Sequence, residues 1–153
     1  SEQMYGDKGE VPDGEYVLPI GVADIKRKGT DVTIVSFGKI IKEAYKAADE
    51  LEKDGVSCEI IDLRTVRPLD INAILESVKK TNRLVILEEA WPFGNVSTEI
   101  TYQVQSQAFD YLDAPIEKIN TADTPAPYSP VLLAEWLPNM NDVINSVKKV
   151  MYR

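Results

Sequence analysis

The sequence predicts an α/β fold in which helices cover both faces of a mostly parallel sheet. Two observations predict it. Short apolar runs rich in β-branched residues recur at 32–37, 56–62, 84–88 and 116–120. Each is followed by a longer stretch whose apolar residues fall at helical spacing, the grammar of strands joined by right-handed helical crossovers.

Residues 1–19 hold three glycines and two prolines among scattered charges, and show neither helical nor strand periodicity. They read as a linker or leader, and a chain that opens there without an initiating methionine is expected to be a piece of something longer. The folded domain is expected over 20–153. It starts with a short strand at 23–27, whose Lys26, Arg27 and Lys28 suit an exposed sheet edge, a basic binding patch being the alternative. The run 32–37 is a buried strand ending at Gly38. Ile40, Ile41, Ala44, Ala48 and Leu51 then form a helical stripe that Gly55 terminates. The strand at 56–62 leads to a helix at about 71–80 capped by Asp70, and the strand at 84–88 to a helix at about 96–108. The strand at 116–120 precedes C-terminal helices, the last striped by Val143, Ile144, Val147, Val150 and Met151.

Composition removes several function classes. The chain has 153 residues, 44% hydrophobic and 27% charged, enough for one domain with a proper core. Its formal charge of −8 disfavours nucleic acid and anionic lipid and favours a basic protein partner. No apolar run approaches the roughly 18 residues that span a bilayer, so no membrane partner is expected. The sequence has no histidine, which excludes a Ser-His-Asp triad and histidine-ligated zinc. Its one cysteine, Cys58, sits in an apolar run and reads as a buried thiol in a reducing compartment.

In a doubly wound sheet, ligands favour the carboxyl ends of the strands. Here those are Phe37-Gly38, Asp62-Leu63-Arg64, Glu88-Glu89 and Asn120-Thr121-Ala122-Asp123. The turn Ser36-Phe37-Gly38-Lys39-Ile40 has neither the dinucleotide fingerprint nor the phosphate loop. Glu88 and Glu89 read as helix-cap or ion-pair residues, since adjacent strand residues face opposite ways and no activating partner is visible. Arg64 and Arg67 flank a turn closed by Pro68; they either pair with Asp62 and Asp70 to tie it down or hold a substrate carboxylate. Trp91-Pro92-Phe93 and Trp136, the latter within 131–137, are either subunit contacts or local packing.

Three segments carry a resemblance: Gly29-Thr30-Asp31-Val32-Thr33-Ile34-Val35, the run from Glu59 through Asp62-Leu63-Arg64-Thr65-Val66-Arg67-Pro68-Leu69-Asp70, and Phe109-Asp110-Tyr111-Leu112-Asp113-Ala114-Pro115. Together they resemble the transketolase C-terminal domain family. Its form in the beta subunits of thiamine-diphosphate-dependent 2-oxoacid dehydrogenases, above all the pyruvate dehydrogenase type, is also similar at Thr121-Ala122-Asp123-Thr124-Pro125-Ala126-Pro127-Tyr128 and Val147-Lys148-Lys149-Val150. The resemblance implies a three-layer, doubly wound, five-stranded sheet with one antiparallel edge strand. It further implies that 1–19 leads out of an upstream pyrimidine-binding domain.

In that family thiamine diphosphate and magnesium are held by the alpha subunit and the preceding beta domain, so no catalytic, cofactor or metal residue is expected in this chain, and the fragment alone is expected to be inactive. The parent would decarboxylate pyruvate and reductively acetylate lipoyl groups, in the bacterial cytoplasm or, in a eukaryote, the mitochondrial matrix. The implied role is assembly. The domain would pack in an α2β2 heterotetramer against the alpha subunit and a second beta subunit, and would dock the peripheral subunit-binding domain of the dihydrolipoyl acyltransferase through Asp113 and the terminal carboxylate of Arg153. The positive side chain of Arg153 and the turn Gly94-Asn95-Val96-Ser97 depart from the family pattern. The alternatives are a beta subunit of a branched-chain 2-oxoacid or acetoin dehydrogenase, a flavodoxin-like binding module, and a free-standing interaction domain.

Overall fold

A computed structural model describes residues 8–153. The linker expected over 1–19 therefore lies partly outside the described residues; its remainder, 8–19, carries no helix or strand and is exposed. Five strands follow: β1 (Asp24–Arg27), β2 (Val32–Ser36), β3 (Cys58–Asp62), β4 (Leu84–Leu87) and β5 (Glu117–Ile119). They form one sheet in the order β1-β3-β2-β4-β5, with β1 antiparallel to β3 and every other neighbouring pair parallel. The expected α/β sheet with one antiparallel edge is the one observed.

The helices are α1 (Ile41–Lys53), α2 (Ile71–Thr81), α3 (Val96–Ala108), α4 (Pro130–Trp136) and α5 (Met140–Val150). Strand residues alternate between two cores. Val32, Ile34, Cys58, Ile60, Val85 and Leu87 pack under α1 and α5 with Ala44, Leu51, Val143 and Val147. Val35, Ile61, Leu84 and Ile86 pack under α2 and α3 with Ile74, Val78, Ile100 and Val104. The three layers follow directly from this alternation.

Local chemistry sets the element ends. Asp70 caps α2 by accepting from Ala73 N–H at 3.2 Å, and its second oxygen accepts from Ala23 N–H at 2.9 Å, which ties the edge strand to the helix start. Gly55, at φ 74°, closes α1 as its spacing predicts, donating its N–H to Glu52 O at 3.0 Å. Lys26 and Arg27 engage acids, Asp24 for the first and Asp49 and Glu52 for the second, as suits a charged sheet edge. Every strand is shorter than expected by one or two residues: β3, for example, begins at Cys58 rather than 56, and β4 stops at Leu87 because Glu88 turns to the next helix. Cys58 is buried as expected, and burial pushes its thiol up to about 12.

Between β2, β3 and α2 lies a polar cluster that the apolar pattern conceals. Glu59, 1% exposed, accepts from Ser77 Oγ at 2.5 Å, from Gly29 N–H at 3.3 Å and from the Lys80 ammonium. Thr33 Oγ1 lies 2.6 Å from Ser77 Oγ and 2.7 Å from Thr81 Oγ1. The Gly29 backbone approaches so closely that a Cβ there would lie 2.2 Å from the Cys58 carbonyl carbon. Burial pushes the Glu59 carboxyl up, but the hydrogen bonds from Lys80, Ser77 and Gly29 outweigh it and hold the group below its ordinary value.

A folded-state value below the unfolded one adds stability that is complete above the unfolded value and is lost as pH falls through the folded one. Urea unfolding should therefore show wild type more stable than Glu59→Gln near neutral pH, with the gap closing in the acid range; a gap independent of pH would exclude the charged role. Gly29→Ala should cost about 1–3 kcal/mol by overpacking, read from the shift of the denaturation midpoint.

Candidate functional site

The strands end at two opposite poles, and each sequence-predicted site residue falls at one of them. At the carboxyl-end crest, the start of α3 is closed by side chains of this chain. Glu88, 4% exposed, accepts from Ser97 N–H at 2.8 Å and Val96 N–H at 3.3 Å, so it caps α3 together with Asn95, whose Oδ1 accepts from Thr98 N–H at 2.9 Å. This is the helix-cap reading, and it places a carboxylate where a helix N-terminus would otherwise receive a phosphate. Glu89 points out to solvent.

The arginine turn is tied down, but not by the expected pairs. Arg64, at φ 55°, sends its guanidinium to Asp24 at 2.5 Å, and Asp62 accepts only the Arg64 backbone N–H, at 3.1 Å. Asp70 is committed to Ala73 and Ala23, so the Arg67–Asp70 pair does not form. The reason is geometric: the positive φ at Arg64 turns its side chain across the sheet to the antiparallel edge strand, a neighbour that local spacing does not reveal.

The two tryptophans meet at one atom. Trp91 Nε1 and Trp136 Nε1 each donate to Thr124 O at 2.9 Å, which joins the loop after β4 to α4. Phe93 is nonetheless 91% exposed and Tyr128 fully so, and no residue of α4 is buried. These bonds anchor the two indole nitrogens, while Trp91 stays 53% exposed and the flanking aromatics stand on the surface. The shared Thr124 acceptor is a backbone group, which side-chain patterns cannot announce.

Thiamine diphosphate and its magnesium need converging oxygen ligands and free donors for a diphosphate. The residues here do not fit: Glu88 occupies the α3 terminus, and among the described residues no three His, Cys, Asp or Glu side chains converge to hold a metal. No step through that cofactor is derived for this chain.

The opposite pole brings Asp113 and the chain end together. Asp113 precedes β5, its carboxylate 57% exposed and 3.4 Å from Arg83 Nη2. Its carbonyl accepts from Tyr152 Oη at 3.1 Å, while Arg83 Nε donates to Val150 O at 3.1 Å and Arg153 N–H to Lys148 O at 3.0 Å. Tyr152, at φ 57°, is the residue that sequence reading missed; it lies beyond the last apolar stripe and carries no periodic signal.

Comparison with known proteins follows this geometry. The family model described as the transketolase C-terminal domain matches residues 21–143. The pyruvate dehydrogenase E1 component subunit beta of Rhizobium meliloti is 52% identical over 100% of this chain and 34% of that subunit, and that of Bacillus subtilis is 43% identical over 93% of the chain and 43% of the subunit. A beta subunit of an acetoin:2,6-dichlorophenolindophenol oxidoreductase from Cupriavidus necator is 44% identical over 98% of the chain and 44% of that subunit. This chain therefore spans well under two thirds of these relatives. A solved split-gene transketolase, titled an inactive beta4 tetramer, superposes with a TM-score of 0.79 at 24% identity over 94% of the chain and 46% of that one, a likeness of fold. With the model matched across both cores and the sheet order in place, the chain belongs to the transketolase C-terminal domain family.

Proposed function

We propose that this chain is the C-terminal assembly domain of a pyruvate dehydrogenase beta subunit. The observation that carries the reading is the similarity to parts of such subunits along nearly all of this chain, at 52% and 43% identity. The chemistry belongs to the rest of the parent, an α2β2 heterotetramer in which this domain packs against the alpha subunit and a second beta subunit. Thiamine diphosphate and magnesium sit elsewhere in that enzyme, which decarboxylates pyruvate and passes the acetyl group to lipoyl groups. Its place is the bacterial cytoplasm or the mitochondrial matrix. Residues 1–19 lead in from an upstream pyrimidine-binding domain, and 20–153 form this one.

Docking to the basic peripheral subunit-binding domain of the acyltransferase is assigned to the pole of Asp113 and Arg153. Two features support it. The pole sets the exposed Asp113 carboxylate beside the last residues of α5, and the chain's charge of −8 draws a basic partner. The Asp113–Arg83 contact is long and open to solvent, so it is worth little and yields easily to a better partner. The Arg153 side chain opposes a basic partner, which leaves Asp113 as the attractive group.

A second reading, an acetoin dehydrogenase beta subunit, is favoured by the 44% identity to the Cupriavidus necator protein. Turnover of pyruvate against acetoin and branched-chain 2-oxoacids by the assembled parent separates them.

Titration calorimetry of the chain alone with thiamine diphosphate should show no binding in the micromolar range; saturable heat there would reject the reading. In the heterotetramer, Asp113→Ala should slow association with the acyltransferase several-fold at low salt, less at high salt, and leave pyruvate decarboxylation intact. Unchanged association by stopped-flow would remove Asp113 from the docking site.

A further inference from the structure

Two places in the sequence set a glycine directly after an aspartate: Asp13-Gly14 and Asp54-Gly55. In such a pair the glycine nitrogen lies next to the aspartate side-chain carboxyl, with no side chain of its own to block an approach. Whether nitrogen and carboxyl can meet depends on how the backbone between them is held. The structure holds the two pairs in opposite ways.

Asp54-Gly55 closes α1. Asp54 N–H donates to Leu51 O, Gly55 N–H to Glu52 O and Val56 N–H to Leu51 O, each at 3.0 Å. The Asp54 carboxylate lies 3.4 Å from Lys148 Nζ on α5. For the Gly55 nitrogen to reach Asp54 Cγ, this hydrogen-bonded turn must open and the carboxylate must leave its lysine. Asp13-Gly14 lies in the stretch 8–19, which is exposed throughout and carries no helix or strand. Among the described residues, neither the Gly14 N–H nor the Asp13 carboxylate makes a hydrogen bond. Crowding does not separate the pairs, since a Cβ at either glycine would meet nothing within 4 Å. Hydrogen bonding does.

We propose that Asp13 is a site of spontaneous isomerisation to isoaspartate, and that the fold protects Asp54 from the same reaction. The Gly14 nitrogen attacks Cγ of the protonated Asp13 carboxyl. The N–Cγ bond forms, the C–OH bond breaks, and the hydroxyl leaves with the amide proton as water, which closes a succinimide ring. Water then adds to one of the two ring carbonyls. Breaking the N–Cγ bond restores aspartate, whereas breaking the bond from nitrogen to the backbone carbonyl carbon leaves the main chain running through Cγ and frees an α-carboxylate. The water lost is regained, so the sum is an isomerisation that needs no oxidant, metal or co-reactant. The product carries one extra carbon in the main chain of the leader and becomes a substrate for isoaspartyl methyltransferases, which use S-adenosylmethionine. The domain behind it keeps its fold, because 8–19 contribute no residue to either core.

The test ages the chain in mildly acidic buffer at physiological temperature, with a parallel sample in urea, and maps isoaspartate by two readouts. One is methyl transfer from labelled S-adenosylmethionine to each peptide; the other is resistance to an endoprotease that cuts before aspartate. In buffer, isoaspartate should accumulate at Asp13 about tenfold faster than at Asp54, as expected where the reactive conformer at Asp54 is reached only by local opening. In urea the two rates should converge. Asp13→Glu should lose the signal in buffer, because closure of the larger ring is much slower, and the aged wild-type chain should keep the thermal midpoint of the fresh one. Equal rates at the two aspartates in buffer, or no isoaspartate at Asp13, overturn the proposal. An Asp54 that stays unmodified in urea overturns the fold as the source of its protection, and a lowered midpoint overturns the confinement of the change to the leader.

Discussion

Covering both faces of the sheet constrains everything else in this molecule. Once α1 and α5 bury one face and α2 and α3 the other, β2 and β4 have every residue buried and β3 has only Asp62 partly open. Side chains that meet another molecule must then stand at the strand ends, on the helix backs or on the edge strand. At the carboxyl ends the ordinary ligand position is taken by Glu88, which satisfies the first turn of α3. The crest thus keeps the shape of a ligand-binding fold with a carboxylate of the chain seated at the start of α3.

The polar cluster around Glu59 inside the layers has a structural explanation that reaches three elements at once. Glu59 belongs to β3, Ser77 and Lys80 to α2, and Gly29 to the turn between β1 and β2. The carboxylate thus supplies an acceptor for a backbone N–H that the short turn leaves unpaired, and the Lys80 stem reaches it from the rim. Register and specificity follow more than net stability, because a buried ion pair gains little over an apolar substitute while losing one partner costs much.

How much of this the sequence reveals depends on whether the signal is periodic. The strand-helix alternation, the Asp70 cap and the Gly55 stop are local patterns, and the structure holds each of them. The resemblance supplied the antiparallel edge strand, which periodicity cannot orient. Arg64 was misassigned because its partner Asp24 lies 40 residues away across a sheet edge, and a positive φ decides the direction. Glu59 had a visible signal, a charge inside a buried run; its partners lay in other elements, so the signal had no reading. Tyr152 and the Thr124 carbonyl had none: one lies past the last helical repeat and the other is backbone.

The two poles differ in kind. At the base, Asp113 and Tyr152 make exposed polar contacts, and Arg83 joins Asp113 to Val150 O. At the crest, Phe93, Tyr128, Val131 and Leu132 stand exposed beside a tryptophan pair fixed on Thr124 O. Large apolar groups held on fixed supports favour contacts that persist, because burying them gains hydrophobic energy without the cost of ordering. The buried sheet between them keeps the two ends in a fixed relation.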